Sequence, residues 1–360
     1  MPAIHTPPPA SQYIVYVGSY SDGVHAFRFN LANGNLEALG MKGELKNPSF
    51  AIAGPKQNHL FAVSELERTE GAVGSFAIDR HSGSLTKLST QSSAGTAPCH
   101  LATDHSGKML IVANYSNGSV SAFPIESDGK LGARSALMTA TGSSVNRKRQ
   151  EGPHAHEVVI SKDNHYAYVP DLGLDQIRIY KLEPGKAALQ QEEPLHVEAG
   201  FGPRHLAFSH DEKFLYIFGE LKTEVAVYQH KQHQSFDHLQ TITSLPADKQ
   251  VEGGAEIVLD RSGRFLYTSN RDVAGEGTGS VTVFSVDRST GKLQRLQNVP
   301  TAGRMPRGME LDPSGHFLFV GDQKANVIQL FPVNNDGQLG NPAAQYDSPS
   351  PVSFTFVSVE

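Results

Sequence analysis

Short apolar runs broken by polar turns repeat from one end of the chain to the other. One set reads HLFAVSE (59–65), MLIVANY (109–115), YAYVPDL (166–172), FLYIFGE (214–220), FLYTSNR (265–271) and FLFVGDQ (317–323), and VYVGSY (15–20) is a seventh copy. Behind each stands a second run: GVHAFRF (23–29), AVGSFAI (72–78), SVSAFPI (119–125), QIRIYKL (176–182), EVAVYQH (224–230), SVTVFSV (280–286) and NVIQLFP (326–332). Many of the runs alternate apolar with polar positions, and they are rich in Val, Ile, Phe and Tyr. Such side chains fit a pleated, half-buried surface, so the runs predict β-strands.

The strands fall into units. Pro48, Pro98, Pro153, Pro203, Gly254, Pro306 and Pro351 anchor successive copies of the pattern and stand 45 to 55 residues apart. Seven units of three or four strands predict an all-β fold, a seven-bladed β-propeller. One small sheet buries little by itself, whereas seven around an axis bury both faces of every blade. The tail VSFTFVSVE (352–360) has no partner run behind it, and the segment from Tyr13 lacks a strand in front of it. The C-terminal strand is therefore expected to close the first blade. Residues 13–360 read as one propeller domain, preceded by a proline-bearing extended tail at 1–12. The longest interruption, 133–151, carries the basic run NRKR (146–149), which reads as a solvated loop, with contact to a bound anion as the alternative.

Residues at one phase of the repeat share one height around the axis. Aligned on the strong apolar runs, Ser49, Cys99, His156, Arg204, Ala255 and Arg307 begin the innermost strands, which line the channel. Tyr20, Glu65, Tyr115, Leu172, Glu220, Arg271 and Gln323 end the second strands. In an up-and-down blade the start of strand one and the end of strand two lie at the same end. Both sets are thus expected to rim one mouth of the channel, gathering the ionisable groups His156, Arg204, Arg307, Glu220, Arg271 and Glu65. His154, two residues before His156, is a second candidate on the same side. His100 and His205 stand one step along from the channel phase, so alternation is expected to turn them toward a neighbouring blade as structural histidines. Cys99 reads as a small packed residue.

Charge and composition narrow the function classes. The 360 residues include 31 Lys and Arg against 37 Asp and Glu, a formal charge of −6. Phosphate backbones select a basic surface, so a nucleic-acid platform is disfavoured. The single cysteine excludes an internal disulfide and a multi-thiolate metal site, and it fits a reducing, cytoplasmic setting. No apolar run approaches the ~20 residues that span a bilayer. The zinc and EF-hand spacings are missing as well, so no membrane, metal or other cofactor is expected. A monomer is the plain expectation.

Four stretches carry a closer likeness. GPHAHEVVISKDNHYAYVPDLGLDQIRIY (152–180), GFGPRHLAFSHDEKFLYIFGEL (200–221), FLYTSNR (265–271) and MPRGMELDPSGHFLFVGDQ (305–323) resemble the seven-bladed lactonase family. That family comprises bacterial propeller-type 6-phosphogluconolactonases and fungal 3-carboxy-cis,cis-muconate lactonizing enzymes. The likeness covers essentially 13–360 and implies metal-independent lactone chemistry at the channel mouth. It places site residues at His156, Arg204, Glu220 and Arg271. The phase argument nominates Arg307 and Glu65 in addition, and Tyr115 and His154 stand with them as substrate-binding candidates.

Opening a lactone needs a positioned water, a base for its proton, and positive charge on the developing oxyanion. An ordinary histidine titrates near ~6.5, which favours His156 as base or acid. A carboxylate between guanidiniums stays ionised, which favours Glu220 as orienter. Arg204 and Arg271 suit an anionic group or the oxyanion. The expected reaction is hydrolysis of a small anionic sugar lactone, 6-phosphogluconolactone first. Cycloisomerisation of a carboxylated cis,cis-muconate is the alternative with the same cations. A non-catalytic binding scaffold is a third reading, and it would show apolar patches on the rim instead.

Overall fold

The computed structural model describes residues 11–246, 253–275 and 277–359. Residues 1–10 of the expected tail lie outside the described residues, and the first strand is Gln12–Ser19. The described residues form seven antiparallel sheets, one per repeat. Going round the ring, the innermost strands are Pro351–Ser358, Ala51–Ala53, Pro98–Thr103, Val159–Ile160, Pro203–Phe208, Gly254–Leu259 and Pro306–Leu311, which define blades one to seven. Each blade runs outward as a meander of four strands, and blade four gains the short strand Leu195–His196 beside Gln176–Glu183.

Blade one is built from both ends of the chain, as the unpartnered terminal runs require. Pro351–Ser358 pairs antiparallel with Gln12–Ser19, with Tyr13 opposite Ser358 and Ser19 opposite Pro351. Alternation along these strands divides the core between two neighbours. Ile14 and Tyr16 pack with Leu60 and Phe76 of blade two, whereas Tyr13, Val15 and Val17 pack with Phe319 and Leu330 of blade seven. The same division repeats round the ring, so the described apolar core consists of clusters lying between adjacent blades.

The hairpin joining the first two strands of a blade is set locally. In blade three the Asp104 carboxylate accepts from the amides of Ser106 (2.9 Å), Lys108 (2.7 Å) and Met109 (2.8 Å). Asp260 forms the same cage in blade six, and Asp312 accepts from the amides of Ser314 and Phe317 in blade seven. Gly107 closes the turn at φ +67°, a left-handed conformation that glycine adopts without strain.

At the opposite end of the inner strands the ladder is irregular. The register shifts between Pro98 and His100, Pro203 and His205, Gly254 and Ile257, and Pro306 and Gly308. Such a bulge breaks the strict in–out alternation of side chains. No helix of the described residues is long and apolar enough to cross a membrane.

Phe319 touches the rings of Phe29 (5.1 Å), Phe354 (5.7 Å) and Phe356 (5.0 Å), and so ties blade seven to the closing strand and to the strand Gly23–Asn30 of blade one. Phe319→Ala is expected to cost about 3–5 kcal/mol, read from the shift in the urea unfolding midpoint. A loss below about 1 kcal/mol, the scale of an ordinary surface change, would show that ring closure does not rest on this cluster.

Candidate active site

The mouth of the channel is assembled from strand ends. The His156 amide donates to the Pro170 carbonyl (2.9 Å), and the Leu172 amide donates to the His154 carbonyl (2.9 Å). Asp171 locks this crossing by accepting from the His154 amide (2.7 Å) while its other oxygen meets Arg178 Nη1 (2.9 Å) in the blade interior. In blade five, Arg204 occupies the bulge, and the Glu220 amide donates to the Gly202 carbonyl (2.8 Å). In blade six the Arg271 amide donates to the Gly253 carbonyl (3.0 Å).

These strand ends converge on one carboxylate. Glu220 Oε2 lies 2.9 Å from Arg271 Nη2 and 3.2 Å from Arg204 Nε, and Oε1 lies 2.5 Å from Arg149 Nη2. The Arg204 Nε contact is an ion pair with poor hydrogen-bond alignment. Arg271 donates further to the carbonyls of Gly253 and Gly254 (both 3.0 Å), and Arg204 Nη1 to that of Ala255 (2.5 Å). Burial alone would raise the Glu220 carboxyl, but Arg271, Arg204 and Arg149 together override it and hold the group far below the ordinary carboxylate range. Burial, then Arg271 and Arg307, lower Arg204 to about 10, which still leaves it charged at neutral pH.

The other candidates fall into two groups. Glu65 accepts from the Tyr20 hydroxyl (2.9 Å) and from the Ser49 hydroxyl. The Arg307 guanidinium lies over the Tyr20 ring, 5.8 Å from its centre, and has no hydrogen-bond or ion-pair partner among the described residues. Both border a cleft of about 660 Å³ that His156, Tyr115 and Glu220 also line. His156 is buried, and its Nδ1 has no partner among the described residues. Burial, then Arg204, His205 and Arg307, push its pKa well below the ordinary histidine value, so the imidazole is neutral at pH 7. His154 stands behind this wall. Its ring stacks on Tyr115 (4.7 Å, 17°), its Nδ1 meets the Tyr115 carbonyl (2.9 Å), and its Nε2 lies 3.3 Å from Glu151.

The chain is similar to known proteins along nearly its whole length. The sequence pattern of the family described as "Lactonase, 7-bladed beta-propeller" matches residues 14–356. The 6-phosphogluconolactonase of Formosa agariphila is 32% identical over 326 residues, covering 88% of this chain and 91% of its own length. The 6-phosphogluconolactonase of Bacillus subtilis is 30% identical over 354 residues, covering 96% and 99%. The structure of the periplasmic gluconolactonase of Pseudomonas aeruginosa superimposes with a TM-score of 0.90 at 31% identity, covering 97% of this chain and 100% of that one. The chain belongs to the seven-bladed β-propeller lactonase family. It is accordingly a lactonase, an enzyme that opens cyclic esters.

Below the mouth, this lactonase departs from the alternation argument. His100 and His205 do not turn toward neighbouring blades. Their rings lie 5.6 Å apart although their strands are two blades apart, and His205 is 5.1 Å from His156, so both face the axis. The bulges after Pro98 and Pro203 cause this by aiming two successive side chains into the channel. The same step along the repeat brings in Glu157 and Glu256, which sequence reasoning missed. Extending the phase alignment by one residue would have exposed them.

His205 Nδ1 lies 2.6 Å from Glu256 Oε1 and 3.8 Å from Glu157 Oε1. One ligand atom each from Glu157, His205 and Glu256 fall within 4.8 Å of one another, a spacing able to hold a metal ion. The Arg204 charge already acts on all three, so the trio has a resident cation and fits a shared proton as well. Burial raises the Glu256 carboxyl to about 7, against the partial opposition of Arg204. Cys99 is buried with its thiol toward the His156 carbonyl (3.3 Å), and burial followed by Glu65 pushes it up and keeps it protonated.

Glu256 gives a test of the sign. Its carboxyl binds a proton more tightly in the folded chain, so folding stability should fall as pH rises from about 4.5 to about 7 on its account. Glu256→Gln removes that dependence. Urea unfolding at pH 5 and pH 8 should therefore show wild type losing ground to the variant at the higher pH. An equal difference at both values would mean Glu256 titrates as an ordinary carboxyl.

Proposed function

We propose that this lactonase hydrolyses a phosphorylated sugar lactone, with 6-phosphogluconolactone as its substrate, at the mouth of the channel and without metal participation. The observation that carries the reading is the presence, on one cleft, of a neutral imidazole and a guanidinium that no hydrogen bond or ion pair among the described residues ties down. The names of the Formosa and Bacillus relatives support the substrate.

The His156 imidazole takes a proton from a water molecule in the cleft as that water attacks the lactone carbonyl. The new C–O bond places negative charge on the carbonyl oxygen, where Arg307, lying over the Tyr20 ring at the cleft, donates from its guanidinium fork. Collapse of the tetrahedral species breaks the ring C–O bond, and the ring oxygen leaves with the proton held on the imidazolium. The result is an open-chain hydroxy acid. In the empty cleft Arg204 and Arg307 depress the basicity of His156. An anionic substrate offsets those charges and restores the base when it is needed.

Glu220 has a different task. A carboxylate held by three guanidiniums is a poor base. It fixes Arg204 and Arg271, whose other contacts run to backbone carbonyls, and so keeps the positive field on the cleft in place. Cytoplasmic residence and a monomeric state belong to the same reading, which draws on the single buried cysteine and the net charge of −6.

The test is turnover of freshly made 6-phosphogluconolactone, corrected for its spontaneous hydrolysis. His156→Gln should lower kcat by about 10²–10⁴-fold, and Arg307→Gln by about 10²-fold. Parent rates in both variants would remove these residues from the chemistry. Loss of a muconate diene absorbance with no lactone hydrolysis would replace the reaction by cycloisomerisation.

A further inference from the structure

Glu220 is met by three guanidiniums of unlike origin. Arg204 and Arg271 rise from propeller strands, are buried, and also donate to backbone carbonyls. Arg149 comes from the insertion between blades three and four, and its side chain is 43% exposed. Its Nη2 meets both Glu220 Oε1 (2.5 Å) and the Tyr115 hydroxyl (3.2 Å), two groups that line the cleft. The insertion is held at several points. Gln150 Nε2 donates to the Leu172 carbonyl (2.9 Å), Gln150 Oε1 accepts from the Asn146 amide (3.0 Å), and the Ser144 hydroxyl meets Asp175 (2.5 Å). The guanidinium therefore sits on an anchored strap while it stays wet.

The charges at this mouth do not balance. Arg68, Arg149, Arg204, Arg271, Arg307 and Lys324 stand against Glu65, Glu67 and Glu220, a surplus of positive charge. Of the three guanidiniums that hold Glu220, Arg149 is the exposed one and can be given up at least cost to the protein. When it leaves, Glu220 still has Arg204 and Arg271. A guanidinium fork at the edge of a cleft matches phosphate oxygens in shape and charge.

On the lactonase reading of this cleft, we propose that Arg149 binds the substrate's phosphate, exchanging Glu220 for it, and so selects phosphorylated over uncharged sugar lactones. The excess positive charge of the mouth is then met by the ligand's negative charge. Arg307 remains for the reacting carbonyl.

Calorimetric titration with 6-phosphogluconate and with gluconate tests this, beside turnover of 6-phosphogluconolactone and glucono-1,5-lactone. Arg149→Met should weaken 6-phosphogluconate about ten- to hundredfold and gluconate less than about threefold. Arg149→Lys should recover part of the loss, because it keeps charge without the fork. On the phosphorylated lactone the effect should appear in KM more than in kcat. Equal losses for both ligands would make Arg149 a brace for the strap and overturn the proposal. So would a wild type that binds 6-phosphogluconate no better than gluconate. Hydrolysis of neither lactone would remove the catalytic reading, and the titrations would still judge Arg149.

Discussion

Tyr13 lies opposite Ser358 and Ser19 opposite Pro351, so the two ends of the chain run side by side along blade one. The rest of the molecule depends on this pairing. Phe354 of the closing strand packs into the cluster shared with blade seven, and Val357 into the cluster shared with blade two. Without the strand both clusters open to water and the ring has a gap. With it, every inner strand is held against one axis, and residues far apart in sequence come within bonding distance. Tyr20 reaches Glu65, and Arg149 reaches Glu220, because the ring is closed.

Closure also explains the electrostatics. A narrow axis with low-dielectric walls makes each buried charge act strongly on its neighbours. The outcome is layered. At the mouth, guanidiniums keep Glu220 ionised, while burial, then Arg204, keeps His156 neutral. One step down, away from the opening, burial dominates, so Glu157 and Glu256 are pushed toward the protonated form while His100 and His205 are held neutral. An anion is favoured in the upper layer, and the lower layer is a nearly neutral, hydrogen-bonded floor beneath it.

Much of this was legible from the repeat. The strand runs, their sevenfold recurrence and the unpartnered ends led to the propeller and to its closing strand. The phase of His156, Arg204, Glu220, Arg271, Arg307 and Glu65 led to one mouth, where the structure brings those side chains. His154 shares the right side of its strand, yet it stacks behind Tyr115 and does not line the cleft. Arg149 lies in an insertion that has no counterpart in the repeat, so periodicity carried no information about where it points. The run NRKR was the available signal, and it looks the same whether solvated or docked.

Local sequence determined where strands begin, which face of each is apolar, and that the units recur often enough to close a ring. Those properties follow from side-chain shape and from a period of two along a strand. Tertiary structure alone decided which of two successive residues faces the axis, because a bulge is a mismatch between two strands and belongs to neither sequence by itself. It alone decided which arginines are bound to Glu220 and which lies over Tyr20 instead, since charge pairing depends on distances that only the closed ring sets.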